Sequence, residues 1–119
     1  MKQLPRTINN WSKLQYLISE IDEAVNTGEN FRVTLAFYSP WDSVSKKVKD
    51  VDVRVNLFEV PEAYHIIQDS FPDAQMPPLN YVPTLVTFRG GLKGDEGYIF
   101  NISVNDNPTA IHKELGFAG

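Results

Sequence analysis

The residue types best suited to chemistry lie together in one segment, Trp41-Asp42-Ser43-Val44-Ser45. An apolar, strand-like run over residues 33–40 precedes this segment, and a helix-like run follows it. The first backbone N–H groups of a helix have no partner within the helix, and Asp and Ser side chains satisfy them well. The pattern predicts that Asp42, with Ser43 or Ser45, caps a helix. A second interpretation is that Asp42 offers its carboxylate to a hydrogen-bond donor of a partner.

The lack of cysteine sets a firm limit on the chemistry. The chain has 0 Cys among its 119 residues. Thiol–disulfide exchange begins when a thiolate attacks a sulfur atom, so this chain cannot perform it with its own side chains. Disulfide bonds and zinc sites built from cysteine are excluded for the same reason.

The histidines, serines and glycines give little support to an enzyme. His65 and His112 fall on different predicted helices, whereas transition-metal sites usually gather several nitrogen or sulfur ligands. No serine lies in a Gly-x-Ser-x-Gly elbow, which disfavours a serine hydrolase. The glycine-rich stretch 90–97 lacks the Gly-Lys-Ser/Thr of a phosphate-binding loop and leads into a strand. We therefore expect no bound metal and no cofactor.

The acidic charge balance narrows the range of partners. The formal net charge is −4 and the isoelectric point is near 5.0, whereas binding to nucleic acid requires clustered Lys or Arg. The one basic run, residues 46–49, is typical of a solvated helix face. No segment approaches the ~20 apolar residues of a membrane span, and no signal peptide is visible. We expect a cytoplasmic protein that contacts neither nucleic acid nor membrane directly; its oligomeric state stays open.

The first half of the chain predicts alternating helices and strands within a single domain, residues 1–119. Apolar residues at helical spacing form one face of a first helix: Trp11, Leu14, Ile18, Ile21 and Val25. Asn10 is placed to cap this helix and Gly28 to end it. A buried strand follows over residues 31–38, then a helix over residues 43–49 and a half-buried strand over residues 51–56.

The second half of the chain predicts a helix, a hairpin and a closing helix. The helix has Pro61 in its first turn, and a proline-rich loop follows over residues 72–83. Strands over residues 84–89 and 97–104 are joined by a turn that opens at Gly90-Gly91. The closing helix runs from Asn107-Pro108 to Leu115. The whole order indicates an α/β fold with a mixed sheet. Its first two strands must be parallel and joined by a right-handed crossover.

Two segments together resemble the thioredoxin family, and the resemblance covers nearly the whole chain. In that family a strand is followed by Pro, Trp, Cys-Gly-Pro-Cys and a helix. The segment at Trp41 matches this order, with Asp42 and Ser45 in place of the two cysteines. Residues 81–91 resemble the family's cis-proline loop, strand and glycine turn. The resemblance implies a thioredoxin-like three-layer α/β/α sandwich with a cis peptide bond before Pro83.

The resemblance also implies where a partner would bind. The family's tryptophan helps to form the substrate-facing surface, and its cis-proline loop holds an extended peptide by strand-like hydrogen bonds that need no thiol. The binding residues implied here are Trp41, Asp42, Ser43, Ser45, Val82, Pro83 and Thr84. Ala36 stands where redox-active members usually carry a buried aspartate. Arg54 matches a basic residue of the family, and we interpret it as a surface charge.

These features together predict a redox-inactive protein-binding or assembly module whose partner is a protein or an extended peptide. The alternative is a glutathione-type enzyme in which Ser45 or Tyr38 activates the thiol of an external cofactor. Enzymes of that kind usually carry a larger C-terminal domain, and this chain stops soon after its last predicted helix. A third alternative is a structural remnant whose groove binds nothing.

Overall fold

The computed structural model describes residues 1–40, 51–80 and 82–102. In chain order their elements are β1 (Thr7–Ile8), α1 (Trp11–Thr27), β2 (Phe31–Tyr38), β3 (Val53–Asn56), α2 (Ala63–Ser70), β4 (Thr84–Lys93) and β5 (Glu96–Asn101). A short 3₁₀ helix, Pro72–Ala74, lies between α2 and β4. The helices predicted over residues 43–49 and 107–115 fall outside the described residues.

The five strands form one mixed sheet in the order β1-β3-β2-β4-β5. β1, β3 and β2 are parallel to their neighbours, whereas β4 is antiparallel to β2 and β5 is antiparallel to β4. Leu35 of the central strand β2 pairs with Val53 of β3 on one side and with Val86 of β4 on the other. The predicted α/β class, the mixed sheet and the parallel pairing of β2 with β3 are therefore confirmed.

Local signals at both ends of α1 fix its boundaries. Asn10 has an extended backbone, and its side-chain Oδ1 accepts a hydrogen bond from the Lys13 N–H at 2.9 Å. Gly28 ends the helix in the left-handed conformation, φ 70°, which lacks steric strain when there is no Cβ. The buried side of α1 consists of Leu14, Leu17, Glu20, Ile21 and Ala24. The predicted cap and stop of this helix are confirmed.

The main core lies between one face of the sheet and the two described helices. Side chains alternate along a strand, so Leu35 and Phe37 of β2 point to the same face. Both belong to one buried cluster with Leu17 of α1 and Ile67 of α2. α1 and α2 therefore cover the same face of the sheet.

The opposite face of the sheet carries a smaller buried cluster, formed by Ala36, Val51 and Leu85. Ala36 is fully buried and is the register partner of Leu85 across β2 and β4. The described residues thus contain the sheet and one helical layer.

The predicted turn at Gly90-Gly91 was wrong, because β4 continues through both glycines to Lys93. A Cβ added at Gly90 would lie 2.1 Å from the Phe31 ring and 2.6 Å from the Tyr98 carbonyl oxygen. Glycine is therefore needed here for close packing inside the sheet. The reversal lies instead between Lys93 and Glu96, where Gly94 has a φ of 67°.

Three further expectations differ from the structure. α2 begins at Ala63, so Pro61 precedes this helix instead of lying in its first turn. β1 was not predicted, because its 2 residues, Thr7 and Ile8, are too short for an alternating pattern to show. Trp11 was assigned to the buried face of α1, but 53% of its surface is exposed.

Candidate functional site

The candidate site lies at one edge of the sheet, where the carboxyl ends of the parallel strands meet the start of β4. Tyr38, the last residue of β2, pairs with Asn56, the last residue of β3. On the other side of β2, Phe37 pairs with Thr84, the first residue of β4. In open α/β sheets, ligands commonly bind outside the carboxyl ends of the strands. We refer to this edge as the carboxyl edge.

The Val82–Pro83 peptide bond is cis, which confirms the prediction made from the second motif. Val82 is half-buried, whereas Pro83 and Thr84 are buried. Thr84 has no exposed surface, so its side chain cannot touch a partner in this conformation. Of these three residues, only Val82 is partly exposed.

The loop that leads to Pro83 is fastened to α2. The Tyr64 hydroxyl donates a hydrogen bond to the Pro77 carbonyl oxygen. One turn further along the helix, Gln68 Nε2 donates to the Met76 carbonyl oxygen at 3.3 Å. These two bonds tie the approach to the cis bond to a helix that is packed against the core.

The end of β2 is held by contacts from β3 and from Leu57, the residue after it. The Leu57 N–H donates to the Tyr38 carbonyl oxygen at 2.9 Å. The Arg54 guanidinium lies over the Tyr38 ring, 5.9 Å from its centroid, and its Nη2 donates to Thr7 Oγ1 at 3.1 Å. Arg54 is half-buried, so it is a packing residue as well as the surface charge that we predicted. These contacts leave the strand end little freedom to move.

Ser39, the residue after β2, has a buried hydroxyl with no hydrogen-bond partner among residues 1–40, 51–80 and 82–102. Buried hydroxyls are nearly always satisfied by protein or by ordered water. Ser39 directly follows Tyr38, which pairs with Asn56. It marks a polar point in the otherwise apolar end of β2.

The structure accounts for part of the predicted binding set. Val82, Pro83 and Thr84 are at the carboxyl edge, as the motif implied. Trp41, Asp42, Ser43 and Ser45 lie outside the described residues. The described chain reaches position 40 at the same edge as the cis-proline loop, because Phe37 and Thr84 are partners.

Of the two histidines, the structure describes only His65. His65 is exposed on α2, where its ring stands edge-to-face with that of Tyr64 at 6.2 Å. His112 lies outside the described residues. Within residues 1–40, 51–80 and 82–102, no group of three or more His, Asp or Glu side chains could hold a metal ion. Across the same residues, no helix is both long enough and apolar enough to pass through a bilayer.

Sequence reasoning missed an apolar groove between the first turns of α1 and α2. Its lining includes Trp11, Pro61 and Ile66, and its volume is about 420 Å³. The sequence contained one signal for this groove: Trp11, an aromatic residue at the first position of α1, directly after the cap Asn10. Sequence alone did not show whether Trp11 lies in the core or at the surface, and in the structure it is largely exposed.

Comparison with known proteins gives no relative. The chain matches no protein-family model, and no curated protein and no solved structure is significantly similar to it.

Proposed function

We propose that this protein is a redox-inactive, thioredoxin-like module that binds a partner protein or an extended peptide. The binding surface, called here the motif surface, consists of Trp41, Asp42, Ser43, Ser45, Val82 and Pro83. Thr84 was predicted to belong to it, but it has no exposed surface and is left out. Binding of this kind uses exposed backbone groups and aromatic anchors, so it needs no thiol.

One observation carries the proposal: the register pair Phe37 and Thr84. The pair joins the end of the strand that leads into the first motif to the start of the strand that follows the second motif. Pro40, which directly precedes the first motif, and the cis-proline loop therefore lie near the same edge of the sheet. The cis bond before Pro83 and the parallel pairing of β2 with β3 add support to a thioredoxin-like arrangement.

The burial of Ala36 supports a role without redox chemistry. Ala36 is fully buried beside Leu85 and Val51. In the family that this chain resembles, a buried aspartate at the matching position assists proton transfer at the second cysteine. An unpaired carboxylate in an apolar cluster is costly, so alanine suits a chain that no longer needs that proton. The absence of cysteine and the apolar Ala36 site agree with each other.

Activity assays test the redox-inactive part of the proposal. The purified protein is expected to reduce no insulin disulfides in the presence of a thiol reductant and to conjugate no glutathione to an electrophilic aromatic substrate. A thioredoxin and a glutathione transferase serve as positive controls. Turnover above the uncatalysed rate in the second assay would favour the glutathione-type alternative and contradict a non-enzymatic role.

An interaction experiment tests the motif surface. Partners are captured from the native host with the full chain, identified by mass spectrometry, and titrated as purified proteins. The double variant Trp41→Ala, Asp42→Lys is expected to weaken the interaction at least tenfold, the size of effect found for buried aromatic anchors. The matched control is Leu92→Ala, Asp95→Lys at the β4–β5 turn, which makes the same kinds of change elsewhere. Equal affinity for both double variants would show that the motif surface is not the interface.

A further inference from the structure

A second surface of the molecule has the properties of a binding site: the apolar groove between the starts of α1 and α2. Leu14 and Ala63 are fully buried and form its floor, while Trp11 and Ile66 belong to its walls. A volume of about 420 Å³ suits one or two side chains of a partner. The groove is separate from the cis-proline loop.

The topology places this groove at the carboxyl edge. β1 ends at Ile8 and α1 begins at Trp11, whereas β3 ends at Asn56 and α2 begins at Ala63. β1 and β3 are parallel, so both helices begin where their strands end, on the same side of the sheet. Ligands of open α/β sheets commonly occupy this side.

Trp11 provides an exposed aromatic anchor at the groove. The side chain is 53% exposed although it follows the helix cap Asn10 directly. Tryptophan is strongly enriched among the residues that dominate the energy of protein interfaces. Its indole ring beside the half-buried Ile66 would lose water-exposed apolar surface when a partner's side chain entered the groove.

Two carboxylates make the rim of the groove acidic. Glu59 and Glu62 both belong to its lining, and both are exposed. Glu62 occupies the cap position of α2 but forms no capping hydrogen bond with its side chain. Across the described part of the chain, neither glutamate forms an ion pair. Their charges are thus available to a cationic group of a partner.

We propose that this groove binds a basic segment of a partner protein, in which a large apolar side chain enters the groove and a neighbouring Lys or Arg meets Glu59 or Glu62. The charges favour this occupant over the others. A symmetric pair of copies would place both acidic rims, each with Glu59 and Glu62, in one interface, because two-fold interfaces join identical patches. Nucleic acid and anionic lipid carry the same sign of charge as the rim and as the whole chain, whose net charge is −4.

Selection from a displayed library of random 16-residue peptides on the immobilised full chain tests the proposal. Wild type is expected to enrich peptides in which a large apolar residue adjoins Lys or Arg. Fluorescein-labelled copies of these peptides are then titrated by anisotropy. Trp11→Ala is expected to weaken binding at least tenfold, and Glu59→Gln, Glu62→Gln about fivefold in 50 mM salt, with a smaller effect in 500 mM salt because charges are screened.

Matched controls separate the groove from a general loss of charge or apolar surface. Asp73→Asn, Asp95→Asn removes the same net charge at exposed sites far from the groove, and Leu92→Ala truncates another exposed apolar residue. Each control is expected to change affinity less than twofold. Amide shifts of the wild-type protein on adding peptide should concentrate at residues 11–14 and 59–66, a readout that depends on no variant.

Three outcomes would overturn the proposal: no enrichment of basic apolar peptides, equal weakening by the controls, or amide shifts elsewhere. Peptides that lose affinity for Trp41→Ala, Asp42→Lys but not for Trp11→Ala would overturn the groove while supporting the motif surface. Peptides that lose affinity for Trp11→Ala but not for Trp41→Ala, Asp42→Lys support the groove, even if the motif surface binds no partner.

Discussion

The rings of Phe37 and Tyr64 meet edge to face, with centroids 4.7 Å apart and an interplanar angle of 73°. Phe37 lies near the end of β2 and pairs with Thr84, while the Tyr64 hydroxyl donates to the Pro77 carbonyl oxygen. One pair of rings therefore connects the central strand, α2 and the loop before Pro83. Aromatic pairs of this geometry add about 0.5–1.5 kcal/mol beyond their buried area.

The first prediction concerns the hydroxyl of Tyr64. Tyr64→Phe keeps the ring contact with Phe37 and removes the donor to Pro77, so the free energy of unfolding should fall by about 1–2 kcal/mol. Urea denaturation measures this change. Tyr16→Phe is the control, because the Tyr16 hydroxyl is 3.4 Å from the Gln3 carbonyl oxygen on an exposed surface and should cost under about 0.5 kcal/mol. Equal losses for the two variants would contradict the tethering role of Tyr64.

The second prediction concerns the buried hydroxyl of Ser39. Ser39→Ala removes a polar atom that has no hydrogen-bond partner in the described part of the chain, so the free energy of unfolding should stay unchanged or rise by up to about 1 kcal/mol. The control is Thr34→Val, because Thr34 Oγ1 lies 2.9 Å from Thr87 Oγ1 across β2 and β4. That variant should lose about 1 kcal/mol. A loss for Ser39→Ala as large as that for Thr34→Val would show that the hydroxyl is bonded.

The third prediction concerns close packing between β5 and the end of α1. A Cβ added at Gly97 would lie 1.6 Å from the Val25 carbonyl oxygen, a backbone atom that cannot move without shifting the helix. Gly97→Ala should lower the free energy of unfolding by about 3 kcal/mol, the upper range for overpacking. The melting temperature, followed by circular dichroism, should fall accordingly.

Gly91→Ala is the matched control for this prediction. Its added Cβ would come within 2.5 Å of Asn30 Oδ1, which belongs to an exposed side chain that can rotate away. The loss at Gly91 should therefore be clearly smaller than at Gly97. If both glycines tolerated alanine equally, the contact between β5 and Val25 would not be as close as described.

The fourth prediction concerns the cap of α1. Asn10→Ala removes the acceptor of the Lys13 N–H and should cost about 1 kcal/mol, whereas Asn10→Asp should retain most of the stability. Thermal unfolding followed by circular dichroism provides the measurement. Asn9→Ala, at an exposed neighbouring position, should have little effect. Similar losses at both positions would argue against capping by Asn10.

Local signals in the sequence were sufficient for α1 and for the central strands. Asn10 and Gly28 act on the helix backbone next to them, so their effect is visible without tertiary structure. The apolar run of β2 and the alternation of Val53 and Val55 in β3 also follow directly from burial. The cis bond at Val82–Pro83 was predicted from the family resemblance and is present.

Other features depend on packing between distant segments and were missed for that reason. Gly90 and Gly91 looked like a turn, but they lie within β4, and at Gly90 the Phe31 ring and the Tyr98 carbonyl oxygen leave no room for a Cβ. Trp11 fits a helical apolar pattern, yet the core under α1 is filled by Leu14 and other residues. Four of the seven predicted binding residues, Trp41, Asp42, Ser43 and Ser45, lie outside the described residues, so their role stays a prediction.

The long β4–β5 hairpin has a practical consequence. β4 contains 10 residues, so its far end is about 30 Å from the cis-proline loop at ~3.3 Å per residue. Gly94 is exposed, and a Cβ added there would come within 4 Å of no atom of the described residues, so the tip is open to solvent. A fluorophore or a surface-immobilisation handle attached there would leave the whole carboxyl edge facing the solution.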